Sequence, residues 1–170
     1  IVTVGGEEAM SVAVLSLIDA GDEVLISDPG YEPYASIIKL ANAVPVYVPL
    51  EEENNWKFNL DELEARITEK TKMLILCTPA NPTGTMMSRE NLEKLSEICI
   101  KHDLLVVSDE AYERVTYDGN KHISIASLPG MKERTITIHS FSKSYSMCGF
   151  RIGYIATDKE LARILIRCHQ

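Results

Sequence analysis

Short β-branched runs alternate with longer stretches of helical period along the whole chain, and this alternation constrains the fold more than any other feature of the sequence. Strands are predicted at Ile1–Val4, Glu23–Ser27, Val44–Val48, Lys72–Cys77, Leu104–Ser108, Thr135–Ser140 and Ile152–Thr157. Several are apolar almost throughout, as expected of strands covered by helices on both faces.

Helices are predicted between them. Glu7–Ala20 carries Ala9, Val12, Ala13 and Leu17 on one side, and Tyr34–Ala41 is less regular. Leu60, Leu63 and Ile67 share a face after Asn59, with Glu62 placed for a capping box. Ser88 caps a helix bearing Leu92, Leu95, Ile98 and Cys99, and Leu161, Ile164, Leu165 and Cys168 mark a last one. The order predicts an open, mostly parallel α/β sheet. In such sheets ligands sit outside the carboxyl ends of the strands, which directs attention to residues 5–8, 28–31, 78–84, 109–112 and 139–143.

Composition bounds the partners. A length of 170 residues suits a single domain, 1–170, with its own core. A net charge of −8 argues against nucleic acid, which needs clustered Lys and Arg. No apolar run approaches a membrane span, so no membrane partner is expected. Cys77, Cys99, Cys148 and Cys168 form no Cys-x-x-Cys pair and no metal site is predicted; small reduced thiols point to a cytoplasmic setting. The chain opens strand-like without an initiator Met and stops within a helical pattern, so it is expected to be a piece of a longer protein.

Five stretches carry chemistry. Gly5-Gly6-Glu7-Glu8 links the first strand to the first helix; the glycines allow close backbone approach, and free N–H groups at a helix start bind phosphate. It matches neither common nucleotide-binding loop, and Glu7 and Glu8 would repel a phosphate if they faced it, so any contact must be through backbone amides. In Asp28-Pro29-Gly30-Tyr31 the aromatic either packs or offers a platform to a planar ring. Pro79 and Pro82 bracket Asn81 and fix the backbone that presents its amide. Asp109 ends an apolar run, where a carboxylate caps the next turn or faces the crevice; Tyr112, three residues on, can reach the same place. Facing a pyridine nitrogen, Asp109 would hold that nitrogen protonated. Ser140-Phe-Ser142-Lys143 is the sharpest stretch: a lysine among hydroxyls rather than acids, with the fork of Arg151 eight residues later suited to phosphate.

Together and in order, Asn81-Pro82-Thr83-Gly84, Ser108-Asp109-Glu110 with Tyr112, and Ser140-x-Ser142-Lys143 with Arg151 resemble the large domain of the class I and II aminotransferases, the fold-type-one pyridoxal-phosphate enzymes. The resemblance covers essentially the whole chain. It implies a three-layer αβα fold whose seven-stranded sheet is mostly parallel, with the strand at Ile152–Thr157 antiparallel. It implies pyridoxal 5'-phosphate as cofactor and Lys143 as its Schiff-base lysine and proton shuttle. It further implies Asp109 on the ring nitrogen, Asn81 and Tyr112 on the phenolic oxygen and Tyr31 against the ring. The phosphate would be gripped by Gly5, Gly6, Glu7, Ser140, Ser142 and Arg151. The implied reaction moves an amino group from an amino acid to a 2-oxo acid in two half-reactions, in a homodimer. The family's N-terminal arm and smaller C-terminal domain are expected to be missing, since 27 residues follow Lys143; the isolated chain is therefore expected to turn over poorly. Other outcomes of the same fold are a carbon–sulfur lyase, an aminocyclopropane-carboxylate synthase, a decarboxylase, or the effector domain of a transcription regulator. A nucleotide-binding α/β domain would leave Lys143 and Arg151 unexplained.

Overall fold

The computed structural model describes residues 1–170. Its seven strands are β1 (Val2–Thr3), β2 (Glu23–Asp28), β3 (Val44–Pro49), β4 (Thr71–Cys77), β5 (Leu105–Asp109), β6 (Thr135–Ser140) and β7 (Gly153–Thr157). They form one sheet in the order β1-β7-β6-β5-β4-β2-β3. Every neighbouring pair is parallel except those of β7, which runs against both β1 and β6, as the resemblance implied.

The unbroken apolar character of β4 has a direct cause. Met73 and Ile75 enter one core with Ala9, Ala13 and Ile38, while Leu74 and Leu76 enter the other with Leu92, Leu95 and Ile125. Successive side chains leave a strand on opposite faces, so a strand covered on both sides has no solvent-facing register to fill. The first core is roofed by α1 (Gly5–Leu17), α2 (Pro33–Leu40) and α6 (Lys159–His169). The second lies under α3 (Leu60–Ala65), α4 (Arg89–Lys101) and the loop before β6. A short α5 (Phe141–Ser144) follows β6.

Local signals worked at some ends and failed at others. Ser88 Oγ accepts the Asn91 N–H, and Asn59 Oδ1 accepts that of Glu62, as predicted. The reciprocal half of the Asn59 box does not form: Glu62 pairs instead with Arg66 one turn on, at 2.6 Å. The first helix is displaced from its predicted Glu7–Ala20. It starts at Gly5, so the two glycines are its first turn and not a linker, and it ends at Leu17. Ile18 is already extended, and Gly21 turns in the left-handed region (φ +89°) toward β2. Pro33 opens α2 one residue before the predicted Tyr34, where its missing N–H costs no hydrogen bond. In α6, Leu165 is buried, whereas Ile164 and Cys168 face outward.

Candidate active site

At the carboxyl edge of the sheet lies a cleft of about 210 Å³. Gly6, Glu7, Tyr31, Asn81, Asp109, Tyr112, Ser140, Ser142, Lys143 and Arg151 all line it. Each of the five stretches singled out in the sequence thus contributes to one cavity. Gly5 sits just behind the lining, against Arg151. Its φ of +78° suits glycine, and a Cβ there would come within 2.5 Å of the Arg151 guanidinium.

One end of the cleft is built from donors. Helix α1 begins there, and the N–H groups of a first turn have no intrahelical acceptor. Arg151 lies beside them because β7 starts at this edge; its Nη1 donates to the Cys148 carbonyl at 3.1 Å and reaches Ser142 Oγ at 3.5 Å. No carboxylate pairs with it. Ser140 Oγ accepts the Ser142 N–H at 3.2 Å and caps α5, the turn that presents Lys143. The Lys143 Nζ is 6.0 Å from the Tyr112 ring centroid and also lacks an acidic partner. Gly153 permits the close fit: a Cβ there would meet the Gly5 carbonyl carbon at 2.7 Å and the His139 oxygen at 2.8 Å.

Asp109 is the acidic group of the cleft on β5. Its Oδ1 accepts the Ala111 N–H at 3.1 Å, and its Oδ2 accepts the Tyr34 hydroxyl at 2.6 Å. Burial pushes its carboxyl above the ordinary value, although both hydrogen bonds pull the other way. It therefore caps the turn and faces the crevice at once. Asn81 stands on the tight turn after β4, closed by Gly84 N–H to the Ala80 carbonyl at 2.8 Å.

Several participants escaped the sequence reading. Tyr34, 3% exposed, is the hydroxyl partner of Asp109, and burial pushes its phenol well up. Its signal was present as an aromatic three residues after Tyr31, on the same side of the turn that starts α2. Cys77 lines the cleft instead of the core alone, and burial pushes its thiol up to about 12; Ala111 and the exposed Cys148 also line it. Behind β5, Glu110 is 2% exposed. It accepts the Ser108 hydroxyl at 2.9 Å and lies 2.8 Å from His122 Nε2 and 3.9 Å from His139 Nε2. His139 stacks on Tyr154 and reaches Glu113 with its other nitrogen at 3.5 Å.

Comparison with known proteins identifies the family. The family model for aminotransferase class I and II matches residues 1–170. An aspartate aminotransferase of Pyrococcus abyssi is 43% identical over 166 residues, which are 98% of this chain and 43% of the relative. Kynurenine–oxoglutarate transaminase 3 of Rattus norvegicus is 45% identical over 163 residues, 91% of this chain and 36% of its own. The crystal structure of an aromatic aminotransferase from Pyrococcus horikoshii superposes with a TM-score of 0.95 at 40% identity, covering 98% of this chain and 45% of that one. The chain thus spans less than half the length of these relatives. Its sheet order, its single antiparallel strand and its matched sequence place it plainly: the chain belongs to the class I and II aminotransferase family.

Proposed function

We propose that this chain is the cofactor-binding part of a pyridoxal-phosphate-dependent aminotransferase, which transfers an amino group from an amino acid to a 2-oxo acid. The observation that carries the reading is the polarity of the cleft. A guanidinium with no carboxylate partner, serine hydroxyls and first-turn amides gather at one end, while a half-buried carboxylate with few donors lines the same cavity. Arg151 packed on a glycine, where no side chain fits, completes a cradle matched to a phosphate.

In this reading Gly5, Gly6 and Glu7 through their backbone, with Ser140, Ser142 and Arg151, hold the phosphate. Bound pyridoxal phosphate supplies a carbonyl that condenses with amines and a cationic ring that draws electrons from the substrate Cα. Asp109 would hold the proton on the ring nitrogen, and Tyr34 orients Asp109. Asn81 and Tyr112 would donate to the phenolic oxygen, and Tyr31 would cover the ring. Lys143 would be the amine of covalent attachment and the base that moves the proton at the substrate Cα.

The relatives' names point to several amino donors, so the substrate class is set at amino acid and 2-oxo acid. For the whole enzyme we expect a homodimer in the cytoplasm. The four free thiols and the absence of any helix long and apolar enough to cross a membrane accord with that setting. Borohydride reduction after addition of pyridoxal phosphate, followed by peptide mapping, tests the assignment. A single label on Lys143, abolished in Lys143→Ala, is expected; a label elsewhere, or none, refutes it. Keto-acid formation by the full-length protein, and little by residues 1–170 alone, is the corresponding expectation for turnover.

A further inference from the structure

Two acids in the first turn of α1 pose a physical conflict. They suit the positive end of a helix dipole but compete with any anion bound there. Each is occupied elsewhere. The Glu8 carboxylate turns back to accept the backbone N–H of Val4. The Glu7 Oε1 accepts the hydroxyl of Tyr31 at 3.0 Å, across 24 residues of sequence. Tyr31 meets Tyr34 edge to face, with ring centroids 5.3 Å apart at 78°. Tyr34 then donates to Asp109. A carboxylate–tyrosine–tyrosine–carboxylate row thus forms one wall of the cleft, tied at both ends, and all four residues line the cavity.

Resting on the cofactor reading above, we infer that Glu7 is a positioning residue: through the Tyr31 hydroxyl it fixes the aromatic platform against which the cofactor ring lies. Of the three links in the row, only the Glu7–Tyr31 bond restrains Tyr31 by a hydrogen bond; the Tyr34 contact restrains it by packing alone. A phenol–carboxylate bond is charge-assisted and stronger than a neutral one. Burial, then the Glu7 bond and charge, push the Tyr31 phenol up to about 12, so the hydroxyl stays a donor. The arrangement carries a built-in opposition. The same negative charge that orients Tyr31 stands at the helix start where a phosphate binds, so removing the charge and removing the hydrogen bond have opposite effects.

Glu7→Gln keeps an acceptor for the phenol and drops the charge; Glu7→Ala drops both; Tyr31→Phe drops the donor. In the full-length protein, Tyr31→Phe is expected to weaken pyridoxal-phosphate binding about tenfold and Glu7→Ala by less, since it also removes the opposing charge; both should reduce the induced circular dichroism of the bound ring. The double variant should be no worse than either single one, since both remove one bond. Glu7→Gln should keep the dichroism, and inorganic phosphate should bind it more tightly than wild type. Additive losses in the double variant, or unchanged dichroism in Glu7→Ala, would overturn the inference. Cofactor-free protein with ring-labelled tyrosine separates this from failure of the cofactor reading. A single Tyr31 conformer by NMR that broadens in Glu7→Ala and persists in Glu7→Gln supports positioning. A Tyr31 signal indifferent to both variants refutes it even if the cofactor binds. A wild type that takes up no cofactor refutes the assigned role together with the reading beneath it.

Discussion

Asp109 and Glu110 are neighbours at the end of one strand, yet they inhabit opposite worlds. The pleat sends Asp109 toward the cleft and Glu110 to the rear, alongside Ser108. Asp109 has one hydroxyl and one backbone amide, and its carboxyl is raised because burial outweighs them. Glu110 is also penalised by burial, but the Ser108 hydroxyl, the close His122 ring and nearby Ser124 outweigh it and hold the carboxyl below its ordinary value. A buried carboxylate short of donors weakens the fold unless something completes it; one saturated with donors helps hold the fold together. The first is what a site for a cationic ring atom requires. The second fixes the loop carrying His122 and Ser124 behind that site.

Variants at each position sharpen the contrast. The largest effect is expected from Asp109→Asn: pyridoxal-phosphate affinity should fall by about 30-fold or more, as when one member of a buried charge pair is removed. Denaturant unfolding of the cofactor-free protein should show no loss of stability in the same variant. Glu110→Gln should do the reverse, costing about 1–3 kcal/mol in urea unfolding through lost charged hydrogen bonds. Its cofactor affinity, measured where it is fully folded, should stay near wild type. Equal stability losses in both variants would break the comparison. Tyr34→Phe, which strips Asp109 of its hydroxyl, should lower affinity about fivefold with little change in fold stability, measured by cofactor fluorescence.

The smallest and most diagnostic effect lies in pH dependence of the cofactor-free protein. For Asp109 the folded value lies above the ordinary 3.8, so its ionised form costs stability at neutral pH. Relative to Asp109→Asn, the wild type should gain as pH falls through the raised value toward 3.8. For Glu110 the folded value lies below 4.5, so its contribution is present above 4.5 and is lost as pH falls through the lowered value. Relative to Glu110→Gln, the wild type should therefore lose ground in acid. Differences of the same sign in both profiles would sink the assignment of opposite roles.

What could be read in the sequence follows from range. The strands were legible because two buried faces impose an apolar run on each. The cleft residues were legible because they sit where strands end, within motifs of a few residues. The start of α1 was misplaced because Gly5 takes its role from Arg151, which lies far along the chain. The Asn59 box was half right, since Glu62 had a choice between a backbone N–H and Arg66, and nothing local decides it. Tyr34 and Asp109 meet across 75 residues, and Glu110 meets His122 and His139 behind the sheet. Such pairs leave no periodic trace.

The reversed direction of β7 has a consequence for how the molecule comes together. Because β7 runs backward, Arg151 reaches the cleft within a local hairpin after Lys143, whereas Gly5 and Gly6 come from the far end of the chain. The strand seam between them is short: β1 meets β7 at Val2↔Tyr154 and Thr3↔Gly153, and Ile1 exchanges backbone hydrogen bonds with Ile155. Contacts of such long sequence separation form slowly, and a two-residue edge strand is easily shed. An anion gripped from both sides is therefore a clasp on the assembled state. It selects the conformations in which the first helix is docked, and it makes two stretches far apart in sequence a single cooperative unit.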